Sequence, residues 1–186
     1  MLIHLIRHTT PDIEEGICYG QTDLGLVDSF DSERAAVLKK LKPTYDAVYS
    51  SPLQRCTRLA DSIQTNQRCV DKRLIEYNFG DWELKPWSSF KTEPEKTWMN
   101  NFVDQAAPNG DSLLSMQERV MEFWRELEQK NMQNIAIVTH SGVQRLIHAH
   151  ILDTPINKMF RLRLDFGAIL EIESSPEHKL LTVRHL

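Results

Sequence analysis

The feature of this sequence that most limits its fold is a recurring pattern: a short apolar run ends in polar residues, and a helical segment follows. Leu2–Ile6, Asp46–Tyr49 and Ile135–Thr139 read as buried strands, and the last of them is mostly β-branched. Helical spacing follows the second and third runs, at Leu53–Ile63 and Val143–Leu152. Buried strands that alternate with helices predict an α/β fold, with a mainly parallel sheet covered on both faces.

The remaining segments are predicted to complete a single domain over residues 1–186. Asp111 is the predicted cap of a long amphipathic helix, and the last two strands are expected to be antiparallel at a sheet edge. Glycine and proline interrupt residues 73–107, which predicts loops and short helices there. Two helices and two further strands are predicted, at Asp31–Leu41, 112–129, Gly167–Ile172 and Leu180–Val183.

The composition argues against several classes of partner. A formal net charge of -4 over 186 residues gives no general attraction to nucleic acid or to an anionic membrane. No apolar run approaches the ~20 residues of a membrane span, and the N-terminal run is too short for a signal peptide. The three cysteines, Cys18, Cys56 and Cys69, have no metal-type spacing. We therefore expect reduced thiols, a cytoplasmic protein and no metal site.

Polar side chains that suit an anion follow each of the three central strands. Arg7 and His8 end the first strand, Arg55 lies on the helix after the second, and His140 follows the third. Each of them alone is compatible with an ordinary surface position. Because ligands bind at the carboxyl ends of strands in open parallel sheets, we expect the four side chains to converge. Two arginines and two histidines without acidic metal ligands favour an anion such as phosphate.

Four segments in this order carry a resemblance to a known family: LIRH, SSPLQRCTRLA, LIEYNFGDWE and VTHSG. Together they resemble the histidine phosphatase superfamily, in its phosphoglycerate mutase-like branch. The segments span most of the chain, from near the N-terminus to about residue 142. The resemblance implies a three-layer α/β/α sandwich with its active site at the carboxyl edge of the sheet.

The resemblance also implies a role for each residue that matches the motifs. His8 matches the nucleophile, Arg7 and Arg55 match the phosphate-clamping arginines, and His140 matches the second histidine. Glu76, four residues before Gly80, matches the proton donor. A histidine nucleophile implies a phosphohistidine intermediate, with cations stabilising the phosphoryl charge. This chemistry requires no metal and no cofactor.

Four further residues are candidates for substrate binding. Thr9 stands where the family usually has glycine, so either its backbone is ordinary or the loop is reshaped; its hydroxyl is a candidate phosphate donor. Ser141, within HSG, and Gln21 are also candidate donors, although Gln21 fits an ordinary turn equally well. Glu83 competes with Glu76 as proton donor, or serves as a structural acid.

The choice of substrate depends on finer features. The segment CYGQTD and the short chain look most like the alpha-ribazole phosphatase group, which removes the 5′-phosphate from a nucleotide-like cobalamin precursor. Aromatic residues in the variable segment 82–107 form either a lid over the substrate or part of the core. The expected partner is a small phosphorylated metabolite, and the oligomeric state, monomer or homodimer, stays open. A broad-specificity sugar or glycerate phosphatase, a phosphoglycerate mutase and a non-catalytic phosphate-binding domain are the alternatives.

Overall fold

One mixed sheet forms the centre of the molecule, in a computed structural model that describes residues 1–175 and 180–186. The described strands are β1 (Leu2–Arg7), β2 (Tyr45–Ser50), β3 (Thr65–Val70), β4 (Asn134–Thr139), β5 (Ile169–Ser175) and β6 (Leu180–His185). The described α-helices are α1 (Phe30–Leu38), α2 (Gln54–Ala60), α3 (Glu93–Asn101), α4 (Leu113–Glu128) and α5 (Ser141–Ile151). Short 3-10 helices lie at Lys72–Leu74, Gly80–Trp82, Trp87–Ser89 and Ile156–Arg161.

The strand order is β3-β2-β4-β1-β5-β6. The first four of these strands are parallel, whereas β5 and β6 are antiparallel to their neighbours, as predicted for the last two strands. The predicted mainly parallel α/β fold is therefore confirmed. β3 was not predicted: its sequence TNQRCV is mostly polar, because it lies at the edge of the sheet with little of it buried.

The core consists of two apolar layers, one on each face of the sheet. Ile3 and Leu5 of β1 point to the face that α4 and α5 cover, whereas Ile6 belongs to the layer formed with α1 and α2. Side chains alternate between the two faces of a strand, so an apolar strand with helices on both sides is buried on both. This arrangement gives the three layers that the resemblance implied.

The long helix α4 differs from the prediction at its N-terminus. Ser112, rather than Asp111, is the cap, and its hydroxyl accepts a hydrogen bond from the amide of Ser115. The Asp111 carboxylate instead accepts from the amide of Asn78 and from the Arg119 guanidinium. Asp111 therefore connects α4 to the segment that precedes the variable region.

Residues 82–107 form a segment whose two ends lie next to each other. The Asp81 amide donates to the Pro108 carbonyl at 2.9 Å. Gly80, with a φ of +54°, lies so close to residues 108–110 that a Cβ atom would not fit. The segment carries α3.

No helix in the described part of the chain is both long and apolar enough to cross a membrane.

Candidate active site

The register of the sheet brings the two histidines together. Arg7, the last residue of β1, is paired with Thr139, the last residue of β4, so His8 and His140 leave the sheet side by side. Their ring centroids are 5.1 Å apart in an edge-to-face arrangement. Arg55 lies on α2, which follows the neighbouring strand β2. The sequence prediction that these residues converge therefore agrees with the geometry.

His8 has one defined tautomer. Its Nδ1 lies 2.6 Å from the carbonyl oxygen of Thr9, and because a carbonyl only accepts, Nδ1 carries the proton. Nε2 is then left unprotonated. His8 is only 2% exposed; burial above all, and then the nearby Arg55 and Arg7, hold its pKa well below the usual 6.5. A neutral imidazole with a free Nε2 is a competent nucleophile.

The backbone of Thr9 is ordinary, because its φ is not positive. The residue therefore does not need the conformational freedom of the glycine that the family usually has there. Its carbonyl orients His8, as described above. Its hydroxyl oxygen is buried and has no hydrogen-bond partner.

Backbone carbonyls hold the ends of the two arginines, and each arginine has a buried Nε atom without a partner. Arg55 is fully buried, and its terminal nitrogens donate to the carbonyls of Thr22 and Gly20 at 2.8 and 2.6 Å. Arg7 donates to the carbonyl of Leu164 at 2.6 Å. The Nε atoms of both arginines are buried without a partner.

His140 lies behind His8 and is fully buried. Its Nε2 is 2.7 Å from the Ser51 hydroxyl, and the Cys56 sulfur is 3.5 Å from the same nitrogen. Burial, followed by the positive charges of its neighbours, holds the pKa of His140 well below 6.5. Both histidines are therefore neutral around pH 7.

The Glu76 carboxylate lies over the N-terminus of α5. It accepts hydrogen bonds from the amides of Tyr77 at 3.0 Å and Gly142 at 3.1 Å, with the Ser141 hydroxyl at 3.5 Å. A Cβ atom on residue 142 would lie 2.2 Å from a Glu76 oxygen, so only glycine leaves room for this carboxylate. The need for space beside Glu76 thus explains why the third residue of the HSG motif, Gly142, is glycine.

Two side chains fix the backbone of Glu76. Arg119 donates to the carbonyls of Arg73, Ile75 and Glu76, the last at 2.9 Å. The Gln21 side-chain amide donates to the same Glu76 carbonyl at 3.0 Å. The Gln21 side chain therefore contacts the protein, which fits the ordinary turn that was one of its two predicted roles better than the role of phosphate donor.

Glu83 has the contacts of a structural acid, which was one of its two predicted roles, and these contacts do not favour the other role, as substrate ligand or competitor of Glu76. Its carboxylate accepts hydrogen bonds from the amides of Gln21, Thr22 and Phe79 and from the Thr22 hydroxyl. Burial alone would raise the pKa of Glu83, but these hydrogen bonds outweigh burial and lower it. Three of these four hydrogen bonds come from the loop that carries Tyr19 and Gly20.

A cavity of about 450 Å³ opens in front of His8. One end is polar, with Arg7, His8, Glu76, Ser141 and Arg145. The opposite walls are apolar and are formed mainly by Phe79, Trp87, Trp98, Met99, Phe102, Met159 and Phe160.

Segment 82–107 is both lid and core. Trp87, Met99 and Phe102 face the cavity, whereas Trp82 and Phe90 are buried among core residues. Tyr19, Arg145 and Phe160 also line the cavity and were not predicted from the sequence. Spacing along the chain does not indicate which loop or helix positions face a cavity. Among the described residues, no three His, Cys, Asp or Glu side chains come together as metal ligands.

Known proteins similar to this chain agree on the family. A candidate phosphoserine phosphatase, phosphoserine phosphatase 2 of Hydrogenobacter thermophilus, is 29% identical over 187 residues, or 96% of this chain and 92% of the relative. The adenosylcobalamin/alpha-ribazole phosphatase of Escherichia coli is 26% identical, covering 75% of this chain and 72% of that protein. The crystal structure of a candidate alpha-ribazole-5′-P phosphatase from Escherichia coli superposes with a TM-score of 0.89 and 27% identity, covering 100% and 95% of the two chains.

These similarities extend to the whole domain. The fold is the phosphoglycerate mutase-like α/β fold, as the superposition shows. The family model of branch 1 of the histidine phosphatase superfamily matches residues 3–185. The chain therefore belongs to branch 1 of the histidine phosphatase superfamily and is a hydrolase of phosphomonoesters.

Proposed function

We propose that this chain hydrolyses the phosphate ester of a small metabolite through a phosphohistidine on His8. The observation that carries this proposal is a set of unpaired donors beside a neutral nucleophile. Of the four buried side-chain polar atoms that lack a partner among the described residues, three belong to Arg7, Thr9 and Arg55. Buried donors are seldom left unpaired in folded proteins, and a phosphoryl group next to His8 would satisfy them.

In the first step, Nε2 of His8 attacks phosphorus in line with the leaving oxygen. The N–P bond forms while the P–O bond breaks, and the protonated carboxyl of Glu76 gives its proton to the departing alkoxide. The Thr9 carbonyl keeps its hydrogen bond to Nδ1–H, which stabilises the charge that develops on the phosphorylated ring. Arg7 and Arg55 stabilise the charge on the phosphoryl oxygens.

In the second step, water replaces the alcohol. The Glu76 carboxylate takes a proton from the attacking water, whose oxygen bonds to phosphorus as the N–P bond breaks. Inorganic phosphate leaves, and both His8 and Glu76 return to their starting states. One carboxyl thus serves first as acid and then as base, as microscopic reversibility requires.

For the substrate, we propose alpha-ribazole 5′-phosphate. Its flat aromatic base would lie against the apolar walls of the cavity, where Trp87 and Phe160 lie, while the phosphate reaches His8. Proteins named as alpha-ribazole phosphatases are among its relatives. Phosphoserine is the second candidate, because a relative of 29% identity carries that name and Arg145 offers a cation for a carboxylate.

The first experiment is a trapping assay on the wild type and His8→Ala. Rapid quenching of the wild type with 32P-labelled substrate in alkaline detergent should give a base-stable, acid-labile phosphoenzyme, which His8→Ala should not form. Equal turnover in His8→Ala would overturn the mechanism.

A substrate panel then decides between the candidate reactions. It compares alpha-ribazole 5′-phosphate, phosphoserine and 3-phosphoglycerate, with and without EDTA. The proposal expects the highest kcat/KM for alpha-ribazole 5′-phosphate, no effect of EDTA, and no isomerisation of 3-phosphoglycerate when a bisphosphoglycerate primer is added. Loss of all activity in EDTA would contradict the metal-independent mechanism.

A further inference from the structure

Many hydrogen bonds hold the loop of residues 18–22, which lies beside the cavity near His8. Arg55 binds the carbonyls of Gly20 and Thr22, and Glu83 binds the amides of Gln21 and Thr22. On the other side, Cys18 exchanges two backbone hydrogen bonds with residues 84–85. These six hydrogen bonds fix the five residues 18–22, which have no regular secondary structure.

Because of these hydrogen bonds, only one side chain of the loop of residues 18–22 faces the cavity. Cys18 is fully buried, Gln21 turns to the Glu76 carbonyl, and the Thr22 hydroxyl bonds to Glu83. Tyr19 is the residue of this loop that lines the cavity. Gly20 makes the position possible, because a Cβ atom there would collide with the Tyr77 carbonyl.

Tyr19 stands among the groups expected to bind phosphate. Its ring centroid is 5.6 Å from the Arg55 guanidinium carbon, and it lines the same end of the cavity as Arg7 and His8. A guanidinium only donates hydrogen bonds, so toward the neighbouring Arg7 the phenol oxygen can act only as an acceptor. The phenolic proton is then left to donate to an acceptor in the cavity.

The protonation state agrees with this role. Burial raises the pKa of Tyr19 above its ordinary value of 10, although Arg7 and Arg55 partly oppose the rise. The phenol is therefore a neutral donor throughout the neutral pH range. It cannot compete with His8 as a nucleophile, because it carries its proton.

We propose that Tyr19 is a further catalytic residue, whose hydroxyl donates a hydrogen bond to a non-bridging oxygen of the transferring phosphoryl group. This proposal rests on the proposed function, since it needs a phosphoryl group at His8. The charge on the non-bridging oxygens is stabilised by fixed donors, and the fastened loop holds this donor in place before substrate arrives.

The test is Tyr19→Phe, which keeps the ring over Arg55 and removes only the hydroxyl. Tyr49→Phe is the matched control, because Tyr49 is buried on β2 against Phe123 and does not line the cavity. We expect Tyr19→Phe to lower kcat/KM by roughly 100-fold, the usual loss for one oxyanion donor, and Tyr49→Phe to leave it unchanged. The loss should be equal for p-nitrophenyl phosphate and for an alkyl phosphate, because a non-bridging oxygen is common to both.

A second measurement separates this role from a displaced loop. Orthovanadate, which adopts the geometry of the phosphoryl transition state, should bind Tyr19→Phe more weakly by a similar factor. Wild-type affinity for vanadate together with lost activity would overturn the proposal, and so would a loss confined to the alkyl phosphate, which would assign Tyr19 to the leaving oxygen.

The phosphohistidine is measured in the same samples, so a failure of the proposed His8 mechanism can be distinguished from a failure of the proposed role of Tyr19. A wild type without phosphohistidine overturns both of them. A wild type that forms it, combined with full activity in Tyr19→Phe, overturns the role of Tyr19 alone.

Discussion

Replacing Gly142 by alanine tests whether the position of the Glu76 carboxylate controls the reaction. The added methyl carbon would lie 2.2 Å from Oε1 of Glu76, and 3.1 Å from the Met116 methyl carbon. The methionine end is flexible and can move aside. The carboxylate has to retreat by about 1 Å to reach an ordinary van der Waals distance, and a misplacement of about that size can lower a catalysed rate by roughly 100-fold.

The expected loss is in activity rather than in stability. Gly142 lies in the first turn of α5, where alanine is a better helix former than glycine by up to about 1 kcal/mol. This gain partly offsets the weakened hydrogen bond from the residue 142 amide to Glu76. We therefore expect a thermal unfolding midpoint close to that of the wild type, together with a strong loss of kcat.

The leaving group gives the sharpest assay. An alkoxide needs a proton from Glu76 as it departs, whereas p-nitrophenolate departs without one. Gly142→Ala should therefore lower kcat/KM, which contains no step after release of the alcohol, by roughly 100-fold for an alkyl phosphate and much less for p-nitrophenyl phosphate, and Glu76→Gln should show the same pattern.

The control is Gly25→Ala, because a methyl group there meets no atom closer than 3.8 Å. It should keep full activity on both substrates. Full activity of Gly142→Ala on the alkyl phosphate would refute the reasoning, because the Glu76 carboxylate would then tolerate displacement. An equal loss of kcat/KM on both substrates would also refute it, since proton donation to the leaving oxygen would then not be the step affected.

Three further outcomes are expected. The pKa values of the buried His8 and His140 are held well below 6.5, so below about pH 6.5 the unfolded chain binds protons that the folded chain does not. The free energy of unfolding should therefore fall as the pH drops below that value, by up to about 1.4 kcal/mol per pH unit for each histidine. Urea unfolding at several pH values should show this fall, and a gentler one in His8→Gln. Thr9→Val removes a buried hydroxyl without a partner, so it should raise the free energy of unfolding by about 1 kcal/mol and lower kcat/KM about 10-fold; unchanged activity would show that phosphate does not use this hydroxyl. Phe160 is 59% exposed at the cavity, so Phe160→Ala should leave stability nearly unchanged and raise KM about 5-fold for alpha-ribazole 5′-phosphate but not for phosphoserine; equal changes in both would contradict aromatic recognition.

The strands next to the site could be predicted from the sequence because they are buried on both faces. Leu2–Ile6 and Ile135–Thr139 are apolar except for His4 and Thr139, and the polar residues after them mark where each strand ends. The rule that parallel strands share a carboxyl edge then placed His8 near His140 without further information. β3 was missed for the opposite reason, since an edge strand that is largely exposed needs no apolar pattern.

The hydrogen-bond partners of the site could not be predicted in the same way. Gln21 and Glu83 have side chains that suit a phosphate or a proton transfer, but they serve the backbone around Glu76 and Tyr19. Such partnerships depend on distances across the fold, and spacing along the chain contains no signal for them. Tyr19 was missed because the contribution of a loop residue depends on how its neighbours are fastened.

The return of segment 82–107 to its starting point has a consequence for protein engineering. The Asp81 amide meets the Pro108 carbonyl, so the segment begins and ends at one narrow junction. Between these ends, Glu83 and residues 84–87 hydrogen-bond the loop before Thr22, and an apolar underside packs on the core. The entropy of closing a loop grows slowly with its length, so the junction can hold a graft of different size. A transplanted segment that keeps residues 82–87 and brings its own equivalent of Trp98 to cover the core should exchange the substrate range while the phosphate chemistry stays in place.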